Sequence, residues 1–286
     1  MDAEGSCGLS NPRVVGSSPR ISDRHYCRRC DPDRVHPVGG GIIDAMRVIG
    51  LLGGMSWESS AEYYRIVNES VRDQAGGLHS ARCVLYSVDF AEIERLQVAG
   101  DWARAAGILV EAGQALQRAG AELVVLCTNT MHRVADELAA AIDIPLLHLA
   151  DTTAAAVQAA GVRRVGLLGT AFTMEQDFYV DRLARHALDV VVPDADDRAL
   201  VHRVIYDELV LGVVRPESRQ AYLGVIDRLV DRGAEGVILG CTEIELLIDP
   251  DDAPVPAFPT TRLHAEYAVR VALGREDLPT PPATAL

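Results

Sequence analysis

Two short stretches of this sequence set reactive side chains directly after apolar runs. One is Cys127-Thr128-Asn129-Thr130, which follows residues 120–126; the other is Gly240-Cys241-Thr242-Glu243, which follows 233–239. The two runs match, Gly-Ala-Glu-Leu-Val-Val-Leu against Gly-Ala-Glu-Gly-Val-Ile-Leu. Continued without a gap, the match sets Thr128 opposite Cys241 and leaves Cys127 opposite Gly240. A hydroxyl and a thiol at equivalent places of a repeat can act on one carbon from two sides. One removes a proton from one face while the other delivers a proton to the opposite face. Cys241 suits the role of base, because a helix N-terminus lowers a thiol pKa and yields thiolate. Thr128 suits it less well, since a hydroxyl is a poor base without an activating neighbour. The plainer alternative for Cys241 is a buried small residue, an ordinary place for cysteine.

The neighbours of this pair are polar. Asn129, Thr130 and Thr242 can hold a carboxylate through amide, hydroxyl and backbone N–H groups while also capping helices. Glu243 and His148 fall at strand ends on the same edge; Glu243 joins the substrate-binding candidates, and His148 reads as a structural histidine. Gly53-Gly54-Met55-Ser56 follows another apolar run, where glycine lets backbone approach a ligand closely or simply makes a tight turn. A cationic clamp for a substrate side chain is not evident: Arg95 is the candidate, and most arginines fall on helical faces that read as solvated. The acidic run 194–197 reads as a helix start, complementing the helix dipole.

Elements that would position these residues recur along the chain. Apolar runs predict strands at 47–53, 82–88, 122–127, 144–149, 164–169, 189–192, 236–240 and 255–258. Amphipathic stretches predict helices at 59–73, 102–119, 131–141, 173–187, 196–211 and 216–232. This alternation predicts an α/β fold built on parallel sheets covered on both faces, and unbroken apolar strands such as Leu123-Val124-Val125-Leu126 agree with it. Residues 47–53 (Arg-Val-Ile-Gly-Leu-Leu-Gly) also match 163–169 (Arg-Arg-Val-Gly-Leu-Leu-Gly), at nearly the separation of the first match. Two matches in the same order predict two similar α/β domains related by a pseudo-twofold axis. Ligands bind at the carboxyl edge of such sheets, where both stretches lie. The expected boundaries are 46–148 plus 255–276 for the first domain and 149–254 for the second, with 277–286 a tail. In this division the chain after Pro254, with its last helix, returns to complete the first domain.

Residues 1–45 are rich in Gly, Ser, Pro and Arg and lack a hydrophobic period, which predicts a disordered leader. Met46, directly before the first apolar run, is the expected natural start. Cys27-x-x-Cys30 in the leader could ligate zinc only with a second ligand pair and a folded context, so no metal site is expected.

The 286 residues are 49% hydrophobic and 5% aromatic, so the core must rest on Val, Leu, Ile and Ala. A formal net charge of −14 argues against a nucleic-acid partner. No apolar run is long enough to cross a bilayer, no secretory signal opens the chain, and six scattered cysteines do not form a disulfide framework. A cytoplasmic protein is expected.

Three stretches carry a family resemblance: Gly50-Leu-Leu-Gly-Gly-Met-Ser-Trp-Glu58, Leu126-Cys-Thr-Asn-Thr-Met-His132 and Leu239-Gly-Cys-Thr-Glu-Ile244. In order and spacing they resemble the aspartate/glutamate racemases, over residues 46 to 267 and including Thr173-Met-Glu-Gln-Asp-Phe-Tyr179. The resemblance implies two similar α/β domains, catalysis without pyridoxal phosphate or metal, and acidic amino acids as usual substrates. It also implies substrate contacts for Met55, Ser56 and Gln97, the last otherwise an exposed helix residue. Many members carry a first catalytic cysteine in a Cys-Asn-Thr motif. Here Thr128 precedes Asn129-Thr130, so the sequence is similar to the Thr/Cys branch, and Cys127 sits one residue too early. The resemblance implies a homodimer acting on a small amino acid. The rival readings are a hydantoin racemase, a maleate isomerase, or a non-catalytic amino-acid-binding protein.

Overall fold

The structure, a computed structural model, describes residues 45–278. The leader with its Cys27/Cys30 pair, and the tail from 279, lie outside the described residues. Two four-stranded parallel sheets form the framework. The first comprises β1 (Ile49–Gly53), β2 (Cys83–Ser87), β3 (Leu123–Leu126) and β4 (Leu146–Leu147), in the order β2-β1-β3-β4. The second comprises β5 (Arg164–Gly169), β6 (Asp189–Val191), β7 (Gly236–Gly240) and β8 (Ala257–Pro259), in the order β6-β5-β7-β8. These are the eight expected strands, and the order repeats.

The register repeats as well. Ile49 pairs with Leu123 in the first sheet, and its counterpart Val165 pairs with Gly236 in the second. The carboxylates of Glu122 and Glu235 cap the entering strands alike, accepting from Val48 N at 2.7 Å and from Arg163 N at 2.9 Å. Alternation explains the unbroken apolar strands. Ile49, Leu51, Leu123 and Val125 face one core, while Leu52, Val124 and Leu126 face another. Each fully buried aliphatic side chain contributes about 1.5–3 kcal/mol, so both faces must be covered.

Helices differ from expectation where local geometry breaks them. The stretch expected as one helix at 131–141 is a 3₁₀ turn, Thr130–Val134, followed by the helix Ala135–Ala140. The stretch at 173–187 splits into Ala171–Glu175 and Asp177–Arg185, because Gln176 is extended (φ −100°, ψ 144°). Phe90–Ala99 and Leu149–Ala159 are helices that periodicity did not mark. The first is capped by Asp89 and stopped by left-handed Gly100; the second is rich in Ala and Thr, so its two faces differ little.

The expected domain boundary after Pro254 needs correction. β8 pairs with β7, with Val237 opposite Ala257, so residues 257–259 complete the second sheet. The chain crosses over only afterwards: Ala265, Ala268 and Val269 of the helix Thr260–Ala272 pack with Ile49, Leu51 and Tyr63. A parallel partner for β7 can come only from a strand running the same way, and β8 arrives in that direction.

The same helix buries His264 between Tyr63 and Leu147 of the first half. Its Nε2 faces the Leu147 carbonyl at 2.9 Å and must donate, so Nδ1 accepts from the Tyr63 hydroxyl at 3.0 Å. His132 and His148 pack edge-on beside it, with ring centroids 5.9 and 4.6 Å apart along the row. Burial holds all three neutral, lowering His148 and His264 to about 3 and His132 well below its usual value. No helix among the described residues is long and apolar enough to cross a membrane.

This row predicts acid sensitivity. An unfolded histidine titrates near 6.5, so between pH 6.5 and about 3 the unfolded chain binds protons that the folded one refuses. Stability should fall as pH drops through that window, by up to about 1.4 kcal/mol per histidine per unit. Glu245, pushed up to about 7 by burial, acts in the opposite sense and offsets part of the loss. Denaturant midpoints at pH 7.5 and 5 should show the drop, and His148→Asn should shrink it. A midpoint unchanged between the two would contradict the neutral row.

Candidate functional site

Four loops leave the carboxyl ends of the central strands β1, β3, β5 and β7 and meet at one cleft. It encloses about 420 Å³, counting its open mouth, and contains Thr128 from the first half and Cys241 from the second. Met55, Ser56, Gln97, Asn129, Thr130, Thr242 and Glu243 line the same cleft. The residues singled out by spacing and resemblance are thus brought together in space.

Local packing fixes each loop. After β1 the chain turns at Gly54, whose φ of +94° suits glycine. A Cβ there would meet the Val88 carbonyl oxygen at 2.2 Å, and one on Gly53 would meet the Ser60 Oγ at 2.3 Å. The glycines are therefore required by the turn itself, packed against Val88 and Ser60. Ser60 completes the turn, accepting from Gly54 N at 2.7 Å and donating to the Ser56 carbonyl at 2.9 Å. Ser56 then caps the helix Trp57–Ala75.

On the β3 side, Thr128 is buried and its carbonyl is held by His132. Leu149 N–H donates to His132 Nε2 at 3.2 Å, so the ring proton sits on Nδ1 and is donated to Thr128 O at 2.6 Å. The histidine grips the backbone of Thr128; among the described residues the Thr128 hydroxyl has no side-chain partner. Cys127 points the other way. It is fully buried in the first core, its thiol pushed up by burial, and it does not line the cleft.

On the β7 side, Cys241 Sγ donates to Glu243 Oε2 at 2.8 Å. The other Glu243 oxygen accepts from Ser56 Oγ at 2.7 Å and Ser59 Oγ at 2.8 Å. Glu243 is buried and joins the two halves. Burial, and next the charge of Glu243, push the Cys241 thiol well above its usual value. This corrects the expectation that a helix N-terminus lowers it, because the helix that follows, Ile244–Leu247, is a single turn. In this state Cys241 is a protonated thiol, and a base must take its proton before it can take one from a substrate.

Gln97 is buried, not exposed on its helix: it lies at i+4 from Ile93, beside Leu96 at i+3, and shares their inward face. His148 caps the helix Leu149–Ala159, accepting from Ala150 N at 3.2 Å, and stays outside the cleft. Arg95 is exposed, with its Nε on the Ala91 carbonyl. Ser59, Phe90, Thr170, Ile205, Tyr206 and Val210 also line the cleft and escaped the sequence reading. The repeat held a signal for Thr170, which follows β5 as Gly54 follows β1. Thr170 Oγ1 lies 3.0 Å from Thr130 Oγ1 and joins the halves there. Among the described residues, no group of three or more His, Cys, Asp or Glu gathers to hold a metal.

Residues 52–268 match the family model described as Asp/Glu/Hydantoin racemase. A candidate Asp/Glu racemase of solved structure from Yersinia pestis is 53% identical, with a TM-score of 0.75 over 80% of this chain and 100% of its own. An aspartate racemase homologue from Pyrococcus horikoshii is 34% identical, with a TM-score of 0.71 over 79% of this chain and 99% of its own. A broad specificity amino-acid racemase, RacX of Bacillus subtilis, is 20% identical over 59% of this chain and 73% of its own. Two matching sheets, four loops converging on one cleft, and a family model spanning most of the described chain agree: the protein belongs to the Asp/Glu/hydantoin racemase family.

Proposed function

We propose that Thr128 and Cys241 form the proton-transfer pair of an amino-acid racemase that interconverts the L and D forms of aspartate, glutamate or a related amino acid. The observation that carries this reading is the arrival of both residues, from equivalent places of an internal repeat, in one cleft between the halves. In the forward step the Cys241 thiolate removes the α-proton, the electron pair stays on Cα, and the Thr128 hydroxyl delivers a proton to the other face. Thr130, Thr242 and the backbone N–H of Asn129 hold the α-carboxylate, and Met55, Ser56 and Gln97 bound the rest of the substrate. Glu243 is the group placed to take the Cys241 proton and so generate the thiolate.

The reaction needs no pyridoxal phosphate in this reading. That cofactor binds through an imine to a lysine ε-amine, and every one of the 27 Lys and Arg positions here is arginine. Thr128 as a weak base does not make the enzyme one-way. L and D isomers are equal in free energy, so kcat/KM must be the same in both directions, and a weak threonine side slows both. The acidic charge fits a cytoplasmic enzyme without nucleic-acid partners, and the family resemblance supports a homodimer, which sedimentation should report as two copies.

Chiral chromatography of L-aspartate, L-glutamate and other L-amino acids incubated without cofactor tests the activity directly. Cys241→Ala should abolish conversion, Thr128→Ala should reduce it by roughly a hundredfold or more, as loss of a general acid does, and Cys127→Ala should retain it. A dead Cys127→Ala beside a fully active Thr128→Ala would mean that the proton donor has been placed one residue out. Neither conversion nor α-exchange with any amino acid would favour a binding protein.

Removing the charge of Glu243 should also move the thiol. In Glu243→Gln the Cys241 pKa should fall, so peptide-resolved alkylation of Cys241 at pH 8 should speed up while turnover drops. Slower or unchanged alkylation would contradict a carboxylate that holds the thiol protonated.

A further inference from the structure

The lining of the cleft bears on the side chain of the substrate, given that the protein is a racemase. Among the described residues that line it, one carries a formal charge, Glu243, and none is arginine. The sequence holds no lysine to reach in from elsewhere. Arg95 is exposed and turned onto its own helix, and Arg133 lies over the Trp102 ring at 4.7 Å and donates to Gln176 at 2.8 Å. A substrate side-chain carboxylate would therefore bring a second negative charge beside Glu243 with no cation among the described lining residues to receive it.

Two buried acceptors point the same way. Among the described residues, Gln97 Oε1 and Asn129 Oδ1 have no hydrogen-bond partner, although both residues are more than nine-tenths buried and line the cleft. Neighbours that can only accept fix the orientation of each amide. Gln97 Nε2 faces the Met131 sulfur at 3.1 Å. Asn129 Nδ2 faces Thr260 Oγ1 at 3.1 Å, and the Thr260 hydroxyl has already given its hydrogen to the Leu239 carbonyl at 2.9 Å. In both cases the oxygen is the end left over. Buried acceptors without donors are rare and costly, and a carboxylate would offer them only more lone pairs. The α-ammonium of an amino acid satisfies one; the other needs a donor on the side chain. Phe90, Ile205 and Val210 supply the apolar remainder of the wall.

We infer that the preferred substrate is an amino acid whose uncharged side chain ends in a hydrogen-bond donor, a carboxamide or a hydroxyl, received by an orphaned acceptor of Gln97 or Asn129. This rests on the racemase reading and sharpens its substrate class. Carboxamides and acids of the same length have nearly the same shape, so the comparison isolates charge and donor. In cofactor-free assays kcat/KM should be higher for L-glutamine or L-asparagine than for L-glutamate and L-aspartate, by about tenfold or more, equivalent to about 1.4 kcal/mol. L-Serine should likewise exceed both acids. Gln97→Met, which keeps length and removes the acceptor, should lower kcat/KM for the amides more than for L-norvaline. Faster turnover of the acids, or of L-lysine and L-arginine, would overturn the inference and leave the racemase standing. No conversion of any amino acid would overturn both.

Discussion

The buried carboxylate of Glu243 is the interaction on which the cleft depends. It comes from the second half, receives two serine hydroxyls from the first, and receives the thiol that faces the substrate space. An unpaired buried carboxylate is costly, and three donors within hydrogen-bond distance offset that cost. The arrangement does two things at once. It fixes Ser56 and the start of the helix Trp57–Ala75 against the second half, and it keeps Cys241 protonated until something changes the balance.

Other contacts across the junction are also polar. Thr130 meets Thr170, and Asn129 reaches the second half through Thr260 and the Leu239 carbonyl. Each neutral hydrogen bond adds only about 0.5–1.5 kcal/mol, but each also fixes an orientation. The apolar energy lies inside the separate cores on the faces of the sheets. The polar contacts named therefore fix how the halves face each other, as suits a cleft that must admit a ligand.

Much of this was legible in the sequence because the strands are strongly patterned. Buried parallel strands show as unbroken apolar runs, and the internal repeat makes Thr128 the counterpart of Cys241. What was not legible has physical reasons. Gln97 looked exposed because its polar side chain reads as a solvated position, although its spacing from Ile93 and Leu96 puts it on the buried face. The partner of β8 depends on the direction of arrival of a three-residue strand, which carries no sequence mark. The raised thiol of Cys241 could not be foreseen, because spacing sets Glu243 at the ligand-binding edge but not against the thiol, and Ser56 and Ser59, far away in sequence, close over it only in the fold. Tyr206, Ile205 and Val210 reach the cleft from a helix end whose sequence looks like any other amphipathic face.

The central claim is that two different groups serve opposite faces of one carbon. It is tested most directly by racemisation in D₂O, stopped at low conversion, with deuterium at Cα measured separately in product and in recovered substrate. A thiol on one side and a hydroxyl on the other predict a product that is almost fully deuterated and a recovered substrate that still carries its original proton. Product retaining the substrate's own proton would mean that a single group serves both faces, and would contradict the pairing of Thr128 with Cys241.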